Sequence, residues 1–258
     1  MKIRVVLSIA FSLMLLNLCA QEYSIISFGA KSDGKTLATE AIQTAIDIAS
    51  KNGGGKVIVP EGHFLSGSII LKTGVELHLH ENAIILGSTN PYDYKSTNRW
   101  KSLILANNQD NISITGKGII NGQGQKLALK VDSLFYAGKL DSIHYNLRRK
   151  RPGEYMRPQI IEMGNCKDVL ISEVTLKNAA CWVQTYDKCE NLNIDRIKVD
   201  SDAYWNNDGI DISDCTNVRI TGCYVNAADD GICLKSHSKD HINDNIYIAD
   251  CTIRSSAS

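Results

Sequence analysis

The sequence lacks an excess of charge of either sign. Its 28 Lys and Arg residues balance its 28 Asp and Glu residues, so the formal net charge at pH 7 is zero. A protein without net positive charge has no overall electrostatic attraction to nucleic acid or to an anionic membrane surface. Hydrophobic residues make up 43% of the chain and charged residues 22%, which is typical of a globular protein. We therefore expect no nucleic-acid partner.

A long apolar run is also lacking, except at the N terminus, which reads MKIRVVLSIAFSLMLLNLCA. There, two basic residues precede an apolar run that is too short and wrongly flanked for a stable membrane span, a pattern typical of a secretory signal. We predict a signal peptide over residues 1–20 and a β-helical domain over residues 21–258. The mature protein would be secreted or periplasmic and would not span the membrane. A lipid anchor on Cys19 is the alternative, and the bulky residue before it argues against that.

Once Cys19 is removed with the signal, seven cysteines remain, and seven cannot all pair. Cys166, Cys189 and Cys215 each begin a similar segment, namely CKDVLISEVTL, CENLNIDRIKV and CTNVRITGCYV, and a fourth copy, NDNIYIADCTI, begins at Asn243. These copies start 23, 26 and 28 residues apart, a period typical of a solenoid. We interpret the cysteines as small buried residues stacked from coil to coil. One or two disulfides remain an open alternative.

The repeated region lacks helical runs between its strands. The segments VLISEVTL, LNIDRIKV, VRITGCYV and IYIADCTI alternate apolar with polar residues, and the runs between them, such as GIDISD and GICLKS, are bounded by turn residues. Two or three short strands per coil without a helix exclude a leucine-rich or βαβ solenoid. The pattern predicts a right-handed parallel β-helix in which each coil covers the apolar edge of the last.

Two further regions are predicted from their own patterns. Residues 36–55, TLATEAIQTAIDIASKNGGG, place apolar residues at helical spacing and end in glycines, so we predict an N-terminal helix that caps the first coil. Residues 126–155 are polar and weakly periodic, and we predict a long loop. Its RRKR run at residues 148–151 is either a solvated charge run or a cationic lip that attracts an acidic substrate.

Two acidic motifs carry the strongest functional signal. Alignment of NDGIDIS with DDGICLK puts Asp208 over Asp230, 22 residues later, and Asp229 over Asn207. Equivalent positions on neighbouring coils lie roughly 4.8 Å apart, so three carboxylates should form one patch, and their repulsion should raise at least one pKa. A single Asp before a strand is commonly a turn residue, but a structural protein gains nothing by stacking like charges. The sequence therefore predicts an acid–base site.

Candidate substrate-binding residues lie around these acids. Lys235 should face outward beside them and bind a substrate carboxylate or hydroxyls, or be an ordinary solvated lysine. His237 follows the same strand. Trp182 aligns with Asp208 one coil earlier, where an exposed indole is a platform for a sugar ring and a buried one is part of the wall. Tyr204 and Trp205 adjoin the first motif and are candidates for lining a subsite.

The chain resembles the polygalacturonase-like glycoside hydrolases, family 28, through its opening FGAKSDGKT, its central RPQIIEMGNCKDVLISEVTLKNAACW and, above all, the ordered pair NNDGIDI and ADDGICLKS. The resemblance implies a right-handed β-helix that hydrolyses pectic polysaccharide with inversion and needs no metal or organic cofactor. It implies that Asp229 is the general acid and that Asp208 and Asp230 hold and deprotonate the attacking water. We also expect Asn207, which replaces the family's Thr, to contact substrate.

The chain departs from the family pattern at its end. Ser-Ala-Ser stands where the family has Gly-His-Gly, and the later Arg-Ile-Lys motif does not occur before Ser258. The missing His favours another pectic or rhamnogalacturonan-type glycosidase over a polygalacturonase in the strict sense, and it leaves the assignment of the acids unchanged. We also expect that further C-terminal coils are missing, that residues 21–258 alone are inactive and associate through an open edge, and that the full-length protein is a monomer.

Two alternatives to hydrolysis remain open. A β-helix polysaccharide lyase would hold Ca²⁺ with its acids and cleave by β-elimination. A carbohydrate-binding solenoid would not catalyse at all, although neutral sugar does not require so much negative charge.

Overall fold

The described part of the computed structural model, residues 21–255, is a right-handed parallel β-helix built from three sheets. The fold predicted from the repeat is therefore confirmed. The predicted signal peptide lies outside the described residues.

The first two sheets each contain eight parallel strands. The first sheet consists of β1 (Glu22–Ser24), β3 (Gly55–Val59), β6 (Val75–Leu79), β10 (Asp110–Gly116), β15 (Lys167–Ser172), β18 (Glu190–Asp195), β21 (Thr216–Thr221) and β24 (Asp244–Ala249). The second sheet consists of β2 (Asp33–Leu37), β4 (Gly62–Ser66), β7 (Ala83–Gly87), β11 (Ile119–Asn121), β16 (Thr175–Lys177), β19 (Lys198–Ser201), β22 (Tyr224–Ala227) and β25 (Thr252–Ser255).

The third sheet bears the acidic motifs. Its parallel strands are β5 (Ile69–Ile70), β9 (Lys101–Asn107), β14 (Gln159–Gly164), β17 (Gln184–Asp187), β20 (Ile210–Ser213) and β23 (Ile232–Lys235). A short strand, β8 (Lys95–Ser96), pairs antiparallel with β9. Two further strands, β12 (Tyr145–Asn146) and β13 (Arg151–Pro152), form a separate antiparallel hairpin.

The repeat read from the sequence is the repeat of the coils. Lys167 pairs with Glu190, and Glu190 pairs with Thr216, so the cysteines that precede these three residues stack on one another. All seven cysteines in residues 21–255 are free thiols, and five of them are buried. The interpretation as small buried residues is confirmed for those five, and the described residues form no disulfide.

Two helices accompany the coils. Helix α1 spans Thr39–Lys51, and its buried residues are the ones that the helical spacing selects: Ala41, Ile42, Ala45, Ile46 and Ala49. It packs against strands of the first coils, where Gln43 accepts a hydrogen bond from the backbone N–H of Ile70 at 2.8 Å. Within residues 21–255, neither helix has the length and apolar character needed to cross a membrane.

The prediction of a loop over residues 126–155 is wrong for its first part. Helix α2 spans Gly124–Tyr136 and buries Leu127, Ala128 and Val131. An apolar stripe at spacings of three and four residues is enough to hold a helix on the solenoid even when the other faces are polar. The remainder contains the β12–β13 hairpin and short 3-10 turns.

Candidate active site

The register of the third sheet brings the acidic motifs together. Ile210 pairs with Ile232 on the next coil, so Asp208 lies over Asp230, as the alignment predicts. The backbone N–H of Asp229 donates to the carbonyl of Asn207 at 3.4 Å. A carboxylate oxygen of Asp208, one of Asp230 and the sulfur of Cys233 all lie within 4.8 Å of one another.

The glycine in each acidic motif allows the coils to approach closely. A β-carbon on Gly209 would lie 2.5 Å from the carbonyl oxygen of Gly231 and 2.5 Å from a methyl group of Val225. The backbone N–H of Gly209 also donates to the carbonyl of Asp230 at 2.8 Å. Glycine is therefore required between the acid and the buried isoleucine of the strand, because a side chain there would push apart the coils that carry the acids.

Lys235 is the counter-ion of the acidic patch. Its ammonium group donates to Oδ2 of Asp208 and to Oδ2 of Asp211, each at 2.8 Å. Asp208 and Asp211 are 5% and 2% exposed, while 27% of the Lys235 side chain is exposed. Lys235 thus faces outward beside the acids, as predicted, but its first partners are the carboxylates themselves.

Burial, more than repulsion, sets the pKa of Asp208 and of Asp211. Removal from water raises the pKa of Asp211 to about 7, against the lowering effect of Lys235. Burial likewise raises the pKa of Asp208, again opposed by Lys235, and the charges of Asp229 and Asp230 raise it further. The expectation that at least one carboxyl has a raised pKa is met, with desolvation as the main cause instead of mutual repulsion.

Asp230 is the exposed member of the patch. The thiol of Cys233 donates to its Oδ2 at 3.0 Å, and burial followed by this contact raises the pKa of Cys233 to about 12. The thiol therefore stays protonated and acts as a donor. Asp229 is half-buried, and its Oδ1 accepts from the backbone N–H of Asp230 at 3.2 Å.

The cluster of Asp208, Asp230 and Cys233 is the arrangement of potential metal ligands that residues 21–255 present. Ca²⁺ takes about six to eight oxygen ligands, whereas this cluster supplies two carboxylates and a protonated thiol. The ammonium of Lys235, 2.8 Å from Asp208, also occupies the position of a cation beside that carboxylate. The ligand set does not fit Ca²⁺.

Asn207 has a different place from the one expected. It is fully buried, and its amide donates to the carbonyls of Ala179 and Cys181 at 3.1 and 2.7 Å. Its Oδ1 accepts from the backbone N–H groups of Ala203 and Tyr204, both at 3.2 Å. A side chain whose amide is used in this way has no surface for substrate, so the expectation of substrate contact is corrected. Asn207 ties the loop before Asp208 to the preceding coil.

A buried arginine holds the same loop from the other side. The Arg157 side chain is 0% exposed and donates to the carbonyls of Trp205 and Ala180 at 2.7 and 3.2 Å. Arg151, from the RRKR run, is also buried and donates to Oδ1 of Asn206 at 2.9 Å. Arg151 is therefore neither solvated nor a lip residue, whereas residues 148–150 are exposed.

A cavity of about 260 Å³ lies beside the acids on the outer face of the third sheet. Its lining consists of Arg99, Trp100, Trp182, Thr185, Asp211, Ser213, Lys235 and His237. Trp182 is half-buried, its ring centroid lies 4.8 Å from that of Trp100, and the Lys235 ammonium is 5.8 Å from the Trp182 ring centroid. Trp182 therefore lines an open space next to the acids.

His237 is exposed at the edge of this cavity. The buried carboxylate of Asp214 positions it, accepting from the backbone N–H groups of His237 and Ser238 at 2.9 and 2.8 Å. These hydrogen bonds lower the pKa of Asp214 against the effect of burial. Trp205 is 63% exposed on the loop before Asp208. Arg99, Trp100 and Asp211 were not among the residues selected from the sequence.

The sequence profile of glycosyl hydrolases family 28 matches residues 50–255. A Vitis vinifera protein named Probable polygalacturonase is 32% identical over 236 residues, which cover 84% of this chain and 45% of that protein. The chain thus spans less than half of this relative's length.

Two solved structures share the fold over most of the chain. One, a protein of Parabacteroides merdae, is 35% identical with a TM-score of 0.77, covering 90% of this chain and 95% of that one. The family 28 exopolygalacturonase of Yersinia enterocolitica is 25% identical with a TM-score of 0.78, covering 90% of this chain and 49% of that one. On the profile match, the identity to the Vitis protein and the shared β-helix, the chain belongs to glycosyl hydrolases family 28.

Proposed function

We propose that the protein is an exported glycoside hydrolase that cleaves pectic polysaccharide, of galacturonan or rhamnogalacturonan type, by an inverting acid–base mechanism. The observation that carries the proposal is the placing of Asp208 and Asp230, on adjacent coils, with carboxylate oxygens within 4.8 Å of each other and with Asp229 beside them. The names of the relatives support pectic polysaccharide as the substrate and partner class.

The attacking water would lie between Asp208 and Asp230. Oxygen atoms up to 4.8 Å apart leave room for one water at ordinary hydrogen-bond distance from both. Lys235 favours the ionised form of Asp208, which a base requires, and burial opposes it. Burial therefore raises the pKa of Asp208 above its usual range, and the Lys235 ammonium limits that rise so that Asp208 can still lose its proton and act as a base.

Asp229 would donate its proton to the glycosidic oxygen. An inverting site separates acid and base by roughly 6.5–9.5 Å so that a water fits between base and sugar. Asp229 is held through its own backbone to Asn207 and so to the coil that bears Asp208. The acid and the base are therefore fixed to each other by backbone, with substrate entering from the exposed side of Asp230.

Export rests on the N-terminal pattern alone. A signal peptide over residues 1–20 would leave Gln21 as the first residue of a secreted or periplasmic protein. Intact-mass measurement of the protein purified from culture medium or periplasm tests this. A terminus at Met1 would contradict it.

Product analysis on a panel of pectic polysaccharides and oligomers tests the hydrolase. We expect new reducing ends with no unsaturated, ultraviolet-absorbing product and no loss of rate with a chelator. An unsaturated product, or chelator sensitivity, would identify the lyase alternative instead. Binding without any product would identify a carbohydrate-binding solenoid. The oligomer pattern would distinguish endo from exo action.

A further inference from the structure

One wall of the cavity belongs to a segment that crosses the outer face of the third sheet. Residues 97–100 precede β9 and are fastened to the strands below them. Asn107 donates to the carbonyl of Thr97 at 2.7 Å, and Asn98 donates to the carboxylate of Asp187 at 3.1 Å. A β-carbon on Gly164 would lie 2.6 Å from the Asn98 side chain, so a glycine there lets the segment lie flat.

Glu162 makes the closest attachment. Its Oε1 accepts from the backbone N–H groups of Arg99 and Trp100 at 3.0 and 2.8 Å. Glu162 is 1% exposed, and its Oε2 has no hydrogen-bond partner among residues 21–255. The pairing of Glu162 with Thr185, and of Thr185 with Asp211, puts Glu162 in the same outward row as an acid of the site, two coils earlier.

Two polar atoms lie buried beneath the cavity. Oδ1 of Asp211 and Oγ of Ser213 are buried and lack a hydrogen-bond partner within the described chain, although both residues are at most 2% exposed. Buried polar atoms are usually satisfied, and the partly exposed Lys235 side chain provides a hydrogen-bond donor at the cavity surface. The indoles of Trp100 and Trp182 line the same cavity, as does Arg99, which is exposed.

Aromatic rings and hydrogen-bonding groups around one cavity are the chemistry that recognises a sugar ring. The volume of about 260 Å³ lies below the roughly 300–1,000 Å³ of pockets for drug-sized ligands, which suits one ring. The guanidinium of Arg99, which also lines the cavity, suits a carboxylate on that ring.

We propose that residues 97–100, together with Trp182, form a subsite for one acidic sugar unit beside the bond that is cleaved, and that Glu162 is the positioning residue of this subsite. The inference rests on the hydrolase function proposed above. It adds a binding element and a specificity determinant that the acids themselves do not provide. The sugar stacks on the indoles, and its carboxylate faces Arg99.

Substitutions of Trp100 and Glu162 in the active full-length protein test the subsite. We expect Trp100→Ala to raise KM for oligogalacturonide about five- to tenfold with kcat unchanged, since stacking is lost equally from ground state and transition state. Glu162→Met removes the shared acceptor and should do the same. Glu162→Gln keeps an Oε1 acceptor and should stay within about twofold of wild type. Tyr92→Ala, which removes a 61%-exposed aromatic residue outside the cavity, is the matched control.

A second experiment tests whether Arg99 recognises the carboxylate of the sugar. Arg99→Gln should reduce the preference for free-acid over methyl-esterified oligomer about fivefold without changing thermal stability. The binding of the same oligomers to an Asp229→Asn background, followed by calorimetry, gives affinities that do not depend on turnover.

The outcomes separate the two proposals. If the wild-type protein hydrolyses oligogalacturonide and both Trp100→Ala and Glu162→Met have its KM, the subsite is overturned, and the proposed hydrolase function is unaffected. A Glu162→Gln variant as impaired as Glu162→Met would overturn the positioning role. If Glu162→Met fails to fold, the KM of Trp100→Ala alone decides whether the subsite exists. If the wild-type protein neither binds nor hydrolyses any oligogalacturonide, the proposed function is overturned, and the subsite with it.

Discussion

Replacement of Lys235 by Met should move the pH dependence of the enzyme upward. Lys235 contacts the carboxylates of Asp208 and Asp211 at 2.8 Å each. An opposite charge this close lowers a carboxyl pKa by roughly 1–3 units. Because 27% of the Lys235 side chain is exposed, solvent screens the pairs and the lower end of that range applies. Methionine keeps the length of the side chain and removes the charge.

The sign of the effect follows from the role of base that we propose for Asp208. Without Lys235, the pKa of Asp208 rises above its already raised value, so the base becomes protonated at a higher pH. The acid limb of the kcat/KM profile should therefore shift upward by about one pH unit. The free energy of unfolding should also fall more at pH 8 than at pH 5. At pH 5 the unpaired carboxyls can take up protons, and at pH 8 they remain charged and buried.

The assay is the pH–rate profile of the Lys235→Met protein on its best substrate, with urea unfolding at the two pH values. Lys239→Met is the control, because Lys239 is an exposed lysine four residues further along the same segment. An acid limb that stays in place, or that moves to lower pH, would show that Lys235 does not govern the ionisation of Asp208, the proposed base.

Three other substitutions test separate parts of the account. Asp229→Asn should lower kcat by roughly 10²–10⁴ while thermal unfolding stays as in wild type, and retention of full activity would remove Asp229 from the role of acid. Asn207→Ala should cost about 3 kcal/mol or more in urea unfolding, since it leaves several buried backbone groups unpaired, and a change below about 0.5 kcal/mol would show that the loop does not depend on it. Asp211→Asn should flatten the fall in unfolding free energy between about pH 4 and pH 7, by up to about 1.4 kcal/mol per pH unit. That expectation holds because the Asp211 pKa is raised from 3.8 to about 7, so the folded state holds a proton that the unfolded state has released, and an unaltered slope would contradict it.

The features that the sequence predicts well are those with a period. Coil length and strand alternation repeat along the chain, so the stacking of Asp208 over Asp230 and of Cys166, Cys189 and Cys215 follows from alignment alone. The same alternation contains a signal for Asp211, because the outward parity that selects Lys235 also applies to the residue between Ile210 and Ile212. The spacing of Leu127, Val131 and Leu134 also carries a signal for helix α2, but the charged residues between them mask it, and the sequence predicts a loop there instead.

The features that the sequence does not predict depend on contacts between distant segments. Glu162 accepts hydrogen bonds from Arg99 and Trp100, which lie 63 and 62 positions earlier in the chain. Arg157 donates to a carbonyl that lies 48 positions later. No local pattern distinguishes these side chains from others on an outward face. Asn207 was misassigned for a related reason. An amide next to a candidate catalytic carboxylate has the same appearance in sequence whether it contacts substrate or holds a loop.

The stereochemistry of the first product distinguishes an inverting hydrolase from the other mechanisms. If Asp229 protonates the glycosidic oxygen while a water held by Asp208 and Asp230 attacks from the opposite face, the new reducing end has the anomeric configuration opposite to that of the cleaved bond. Proton NMR of oligogalacturonide, followed from the first minutes of reaction before mutarotation, shows which anomer appears first. We expect the inverted anomer. A retained anomer, or an unsaturated sugar in its place, would be incompatible with inverting hydrolysis by these three aspartates.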